Sequence, residues 1–364
     1  RIGTSEASLE IAASERQAAE RRDVAAADHA QAVLRLNEWF DGQGVLKTVS
    51  AVGHRIVHGG QHYSQPEQIT PPMVAELKRL VPIDPTHLPG EIALIEAFER
   101  HLPDVPQVAC FDTAFHRELP RVAWLLPIPR RYADQGVRRY GFHGLSFTYL
   151  LAELGRLDPA AAAGRVVLAH LGAGASMAAV RGGQPIDTTM SFTPAAGLVM
   201  GTRAGDIDAG VLTYLMRSEG LDADQLDRLV NYQSGLLGLS ETSSDMRDLL
   251  QRRPSDRRAA DAVAAFCYQA RKWVGALAAA LGGLDALVFS GGIGENAPPV
   301  RAEICQGLEH LGIRLDAGRN DRAEPVISAG SACRVRLIRT NEEAVIVDQV
   351  RRVIANQPTA KAHT

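Results

Sequence analysis

An arginine sits between two histidines in His54-Arg-Ile-Val-His58. On a helix, histidines four apart could share a zinc ion. The β-branched neighbours favour a strand, where the two lie about 13 Å apart, too far for one metal. The strand alternation puts Arg55 and Val57 on one side and His54, Ile56 and His58 on the other. A cation beside an apolar side chain suits a small carboxylate with a short alkyl tail. An arginine snorkelling at a sheet edge is an equally good account. Four more segments hold groups that could act on an anion. Phe111-Asp-Thr-Ala-Phe-His116 puts Asp112 at the end of an apolar run, and Arg139-Tyr-Gly-Phe-His-Gly144 puts His143 between an aromatic and a glycine. Met200-Gly-Thr-Arg-Ala-Gly-Asp-Ile-Asp208 puts Arg203 in a glycine-flanked turn, and Thr340-Asn-Glu-Glu343 follows a late strand with acids. Each has a plain structural account: a helix N-cap for Asp112, a core histidine, a surface arginine, and a first-turn acid for Glu342.

Two glycine-rich turns follow strands, His170-Leu-Gly-Ala-Gly-Ala-Ser176 and Gly291-Gly-Ile-Gly-Glu-Asn296. Glycine lets backbone N–H groups converge on an anion without interference from Cβ. A P-loop is excluded because no Gly-Lys-Ser/Thr follows. The dinucleotide fingerprint is incomplete, and the first turn leads into a strand rather than a helix. What remains is a hairpin clamp for phosphates and a separate strand–glycine–helix turn, a pattern of nucleotide clefts of the sugar-kinase and actin kind. No Ser-His-Asp or Cys-His constellation is visible.

These residues need elements to carry them. Ala32, Val33, Leu36, Trp39 and Phe40 fall at helical spacing. Val49 to His58 reads as a strand closed by Gly59-Gly60, followed by helices near 72–80 and 90–101 and a buried strand from Val105 to Phe111. A helix is expected over 145–155. Arg165 to His170, Ser176 to Val180 and Ile186 to Thr189 form an antiparallel meander. Helices then dominate to about 283, before a strand at Leu284–Ser290, the second glycine turn, a helix from about 298, a strand at Val335–Arg339 and a closing helix at Glu342–Ala355. Strand, glycine turn and helix, twice over, predict two α/β domains with a cleft between them.

The composition is that of a globular protein: 364 residues, 46% hydrophobic, too apolar for disorder and long enough for two domains. A net charge of −3 provides no global basic field for nucleic acid, and Arg252-Arg253 and Arg257-Arg258 read as a solvated helix face. No apolar run reaches the roughly 18 residues that span a bilayer. Cys110, Cys267, Cys305 and Cys333 are far apart and show no CxxC, so they read as buried reduced thiols of a cytoplasmic protein.

Together the segments resemble the acetate kinase family. The resemblance runs from about Val52 to Ala344 and rests on Val-Gly-His-Arg-Ile-Val-His-Gly-Gly (52–60), Phe-Asp-Thr-Ala-Phe-His (111–116), Arg-Tyr-Gly-Phe-His-Gly (139–144), Met-Gly-Thr-Arg (200–203), Ser-Asp-Met-Arg-Asp-Leu (244–249), Gly-Gly-Ile-Gly-Glu-Asn (291–296) and Thr-Asn-Glu-Glu (340–343). It implies a two-domain actin/hexokinase-like (ribonuclease H-like) α/β fold with a central cleft. The first domain would be 1–115, completed by the helix 344–364 and binding the acid; the second, 116–343, would bind the nucleotide. It implies ATP-dependent phosphorylation of acetate to acetyl phosphate, with Mg2+ or Mn2+, in a cytoplasmic homodimer without nucleic-acid or membrane partners. Propionate or butyrate kinases of the same family, and an impaired nucleotide-binding protein of the same fold, are the alternatives.

By the same resemblance Arg55 and Arg203 flank the acyl-phosphate transition state, Asp112 sits at the catalytic centre near the metal, and Glu342 helps to hold it. His143 bonds the phosphoryl group in flight. Val57, Thr86, His87, Phe142 and Pro194 line the acid pocket. His170, Leu171, Gly172, Ala173 and Gly174, with Asp245, Met246 and Arg247 and with Gly292, Ile293, Gly294, Glu295 and Asn296, hold the nucleotide. The sequence departs from the family pattern at Ala173, where Asn is usual, at Thr86 for Leu, Leu88 for Asn, Leu145 for Thr and Phe147 for the second histidine. No Asn-x-Gly-Ser-Ser-Ser run is present, and the expectation is that the 364 residues lack the family's opening strand.

Overall fold

The computed structural model describes residues 48–330 and 332–356, the strands β1 (Ser8–Ile11) and β2 (Glu20–Asp23), and the helical positions Gln31, Arg35, Glu38 and Gly42. The predicted apolar face of Ala32, Val33, Leu36, Trp39 and Phe40 lies outside the described residues. The chain divides into two compact units, Arg1–Ala114 with Ile346–Thr364, and Phe115–Val345.

In the first unit, β1 and β2 pair antiparallel, Ser8 opposite Asp23. A separate sheet has the order β3-β5-β4, from β3 (Val52–Ile56), β4 (Glu67–Gln68) and β5 (Gln107–Phe111). β3 and β5 run parallel, Arg55 opposite Cys110. Parallel neighbours need a crossover, and the helices Pro71–Leu80 and Leu88–His101 supply it. Thr70 caps the first of these, and Pro71 sits at its opening position, where a missing N–H costs nothing. Every residue of β5 is buried, which explains the apolar run from Val108 to Phe111. The closing helix Glu342–Ala355 packs on β3 at Gly53. A Cβ there would lie 2.5 Å from Ile346 and 2.8 Å from Val350, so glycine permits the approach.

β3 is shorter than the strand expected over Val49–His58. The alternation holds through Ile56, with His54 and Ile56 buried and Arg55 exposed. It stops there because the Val57 N–H donates to the Glu91 carboxylate at 3.0 Å instead of continuing a ladder, and Val57 turns inward to 2% exposure.

The second unit is built on β6 (Arg165–Leu171), β7 (Ala175–Arg181), β8 (Gln184–Thr188), β9 (Ala286–Ser290) and β10 (Arg334–Leu337), in the order β10-β9-β6-β7-β8. β6, β7 and β8 form the expected meander, while β9 and β10 join parallel to β6 and to each other. The helix Gly144–Leu157 presents Phe147, Leu150 and Leu154 to Val166, Leu168, Val288 and Ile338. The 25-residue helix Arg257–Leu281 packs on β6, β7 and β8. Gly291–Asn296, expected as a glycine-rich turn before a helix, is itself a short helix. Gly291 alone makes the turn, with φ +77° and a virtual Cβ 2.7 Å from the Leu171 carbonyl oxygen, and the chain winds directly afterwards. All four cysteines are buried, and burial pushes the Cys110, Cys267 and Cys333 thiols up to about 12. Among the described residues no helix is long and apolar enough to cross a membrane.

Candidate functional site

The predicted site residues form two groups, one in each unit. In the first unit, the parallel pairing of β3 and β5 brings the ends of both strands level. The Asp112 N–H donates to the Ile56 carbonyl at 2.9 Å, which holds the acid just beyond β5. Its Oδ2 accepts from the Arg55 guanidinium. Oδ1 is buried and has no hydrogen-bond partner. A buried carboxylate oxygen left without a donor is costly unless something else approaches it.

Arg55 also lines a half-open pocket of about 520 Å3 with Val52, His54, Thr86, His87 and Glu91. His87 is set by the buried Asp84, whose carboxylate accepts from the His87 backbone N–H at 3.0 Å and bonds its Nδ1 at 2.9 Å. Thr86 is exposed. Glu91, in the first turn of Leu88–His101, receives the Val57 N–H. Burial pushes its carboxyl up to about 7, against the pull of the Val57 N–H and the positive charge of Arg55.

In the second unit the chain enters the helix Gly144–Leu157 through His143, which has φ 58° and ψ 27°. A left-handed conformation is uncommon for a residue with a Cβ and gathers at functional sites. His143 Nδ1 bonds Ser176 Oγ at 2.8 Å, and its ring stacks on His170 at 4.5 Å. His170 Nδ1 bonds Ser146 Oγ at 2.8 Å. Arg203 Nη1 donates to the Pro194 carbonyl at 3.4 Å. A Cβ added to Gly174 would lie 3.3 Å from His143 Nε2 and 3.7 Å from Arg203 Nη1. One on Gly172 would lie 3.6 Å from His170 Nε2 and 3.9 Å from the Gly292 nitrogen. The two histidines, the arginine and both glycine segments therefore meet around one small volume that side chains at 172 and 174 would fill. Phe142 is buried, and its carbonyl accepts from His116 Nε2 at 3.1 Å.

The remaining predicted nucleotide residues have local work. Leu171 is buried in β6, and the Ala173 carbonyl accepts from the Gly201 N–H at 3.0 Å. Ile293 and Gly294 lie in the short helix, with Gly294 close against Leu171. Asn296 Nδ2 bonds back to the Gly292 carbonyl, and Glu295 Oε1 accepts from the Gly291 N–H at 2.9 Å. Asp245 caps the helix Met246–Arg252, accepting from the Arg247 N–H, and Met246 is buried. Arg247 pairs with Asp245 at 2.6 Å and is otherwise exposed. Glu342 is half-buried in the first turn of the closing helix, where Asn341 accepts from the Ala344 N–H.

A Mg2+ ion binds hard oxygen ligands, commonly one or two carboxylates together with substrate phosphates. The orphaned Asp112 Oδ1 and the carboxylate of Glu342 are donors of that kind. Among the described residues no three His, Cys, Asp or Glu side chains gather as an all-protein cage. Within the first unit, the unsatisfied Asp112 oxygen has the chemistry of a magnesium donor completed by phosphate oxygens.

Glu91, Asp84, Ser146, Ser176 and Thr340 bond predicted site residues or one another and escape the sequence reading. Each is a common polar residue at a helix start, strand or loop, and each acquires its role from a partner at least three residues away and mostly far along the chain.

Comparison with known proteins gives the family and the fold. The family model described as the Acetokinase family matches residues 1–348. A propionate kinase from Citrobacter rodentium is 42% identical over 368 residues, covering 99% of this chain and 91% of that protein. An acetate kinase from Methylocella silvestris is 46% identical over 319 residues, covering 87% of this chain and 78% of the relative. The crystal structure of a propionate kinase from Francisella tularensis superposes with a TM-score of 0.90 at 33% identity, over 97% of this chain and 91% of the other. The expected α/β fold is thus the fold of these kinases, and the chain belongs to the acetokinase family.

Proposed function

We propose that the chain is a carboxylate kinase that transfers the terminal phosphoryl group of ATP to acetate or a short homologue, giving ADP and an acyl phosphate. The observation that carries this reading is the meeting of His143, His170 and Arg203 at the glycine turn 172–174 beside Gly292. A carboxylate nucleophile is already ionised at neutral pH and needs no general base. The obstacle is repulsion between two anions, so the work is positioning and charge neutralisation. Arg55 takes the carboxylate, and Arg203 the charge on the phosphoryl group, because a guanidinium binds planar anions through two donors and keeps its proton. His143, oriented by Ser176, offers Nε2 to the phosphoryl oxygens. His170, Leu171, Ala173 and the turns at 172–174 and 292–296 hold the phosphates, with Asp245, Met246 and Arg247 on the rest of the nucleotide. Asp112 in the first unit and Glu342 in the second would each offer a carboxylate oxygen to Mg2+ or Mn2+, which when bound would supply positive charge to the phosphates.

The first unit is accordingly the acid-binding one, with Thr86 and His87 beside Arg55, and the second the nucleotide-binding one. We place the enzyme in the cytoplasm, in keeping with its four buried thiols. A homodimer is supported by the helix Ala209–Glu219, which exposes Val211, Tyr214 and Met216. Propionate is the second reading, favoured by the exposed Thr86 and by the name of the Citrobacter relative. The test is hydroxamate trapping of acyl phosphate with Mg-ATP and acetate, propionate or butyrate. Formation from at least one acid is expected. ATP binding without acyl phosphate from any of them would reject the proposal.

A further inference from the structure

The stacked pair His143 and His170 is braced on one side by a line of hydroxyls. Ser146 is fully buried, and its Oγ lies 2.8 Å from His170 Nδ1 and 2.9 Å from Thr340 Oγ1. The Thr340 backbone N–H in turn faces Glu295 Oε1 at 3.4 Å, and the same oxygen accepts from Ser290 Oγ and the Gly291 N–H. Glu295, Thr340, Ser146 and His170 therefore join the second glycine segment to the first through contiguous polar contacts.

We propose that Ser146 is a positioning residue that locks His170 in the Nε2–H tautomer, donating its hydroxyl proton to Nδ1 while accepting one from Thr340. This rests on the kinase reading, which makes the glycine turn an anion site; hydrogen-bond counting narrows the contacts to two directions of proton donation. A serine hydroxyl has one proton and two lone pairs, and a neutral imidazole has one N–H and one bare nitrogen. With the protons running from Thr340 to Ser146 to His170, both hydroxyl protons find acceptors inside the chain of contacts. Either direction makes two bonds inside the line and leaves one donor over: His170 Nε2–H when run this way, the Thr340 hydroxyl when run the other way. The far end of the ring selects the forward direction. His170 Nε2 faces Gly172, and Nε2–H there is a donor aimed at the turn. A bare Nε2 would present a lone pair to an arriving phosphate instead.

An imidazole whose tautomer is set by its far nitrogen needs no added charge to donate a hydrogen bond. The contact with Thr340 ties that setting to the segment just before Glu342. Ser146 thereby links the loop bearing a candidate metal carboxylate to the imidazole beside the glycine turn, within one unit.

The tautomer of His170 is read by 15N–1H correlation spectroscopy of the imidazoles in the full chain, with the His170→Gln variant assigning the resonance. The Nε2–H pattern is expected in the native protein, and its loss or a mixture of tautomers in Ser146→Ala. Turnover in Ser146→Ala should fall at least about tenfold with the KM for the acid little changed, as when an imidazole loses its orienting partner. Thr340→Val, at a half-buried position, should weaken the pattern in the same direction and serves if Ser146→Ala does not fold. An Nδ1–H pattern in the native chain would overturn the proposal whatever the activity. A native Nε2–H pattern unchanged in both variants would overturn it as well. The expected pattern in a chain without kinase activity would uphold it and reject only the kinase reading.

Discussion

Replacing Glu91 by glutamine should stabilise the protein at alkaline pH and much less in mild acid. The carboxyl accepts the Val57 N–H, and burial raises it from the usual 4.5 to about 7. A raised acid binds its proton more tightly in the folded state, so stability falls as pH climbs from the unfolded value towards the folded one. A shift of about 2.5 units at about 1.4 kcal/mol each amounts to about 3 kcal/mol, felt in full above about pH 7. Glutamine keeps an oxygen for the Val57 N–H and carries no charge. The variant should therefore exceed the native protein by about 1 kcal/mol at pH 5.5 and about 3 kcal/mol at pH 8. Urea unfolding of both proteins at the two pH values measures this. The subtraction also removes the buried histidines, which titrate in the same window and are common to both chains. Parallel pH–stability curves, or a variant less stable at pH 8, would refute the reasoning and show that ionised Glu91 is compensated by Arg55.

His54, His58 and His116 are each lowered to about 4, burial being the largest cause. Their unfolded forms bind protons first, so stability should be lost as pH falls from about 6.5 towards 4, visible as a falling melting temperature by circular dichroism. Arg203→Ala should lower kcat by about a hundredfold or more with little change in the KM for ATP, and a near-normal kcat would remove Arg203 from the mechanism. Arg55→Ala should in addition raise the KM for the acid, since it loses both the carboxylate receptor and the partner of Asp112. With threonine at position 86, propionate should be used within about tenfold of acetate in kcat/KM, one methylene being worth about 1–3 kcal/mol; a far stronger preference for acetate would show that another side chain fills the space.

Much of this protein is legible along the chain. The apolar runs of β5, β6 and β9, the periodic helices and the glycine turns depend on local patterning, and the sequence alone determines them, along with the types of side chain able to handle anions. Membership of the acetokinase family follows from ordered motifs, which also need no coordinates. Tertiary structure decided the rest. Strand alternation assigned Val57 to the face of Arg55, but its N–H is captured by Glu91, 34 residues away. The glycines of 291–296 read as a turn ahead of a helix, yet a single positive φ suffices and the remainder winds into helix at once. Ser146 sits in the first turn of the helix Gly144–Leu157, and nothing local marks it. Its meaning comes from His170, 24 residues on, and Thr340, 194 residues on. Periodicity records how a residue relates to its own element, whereas tautomers, buried charges and orphaned oxygens are set by groups that only folding brings near.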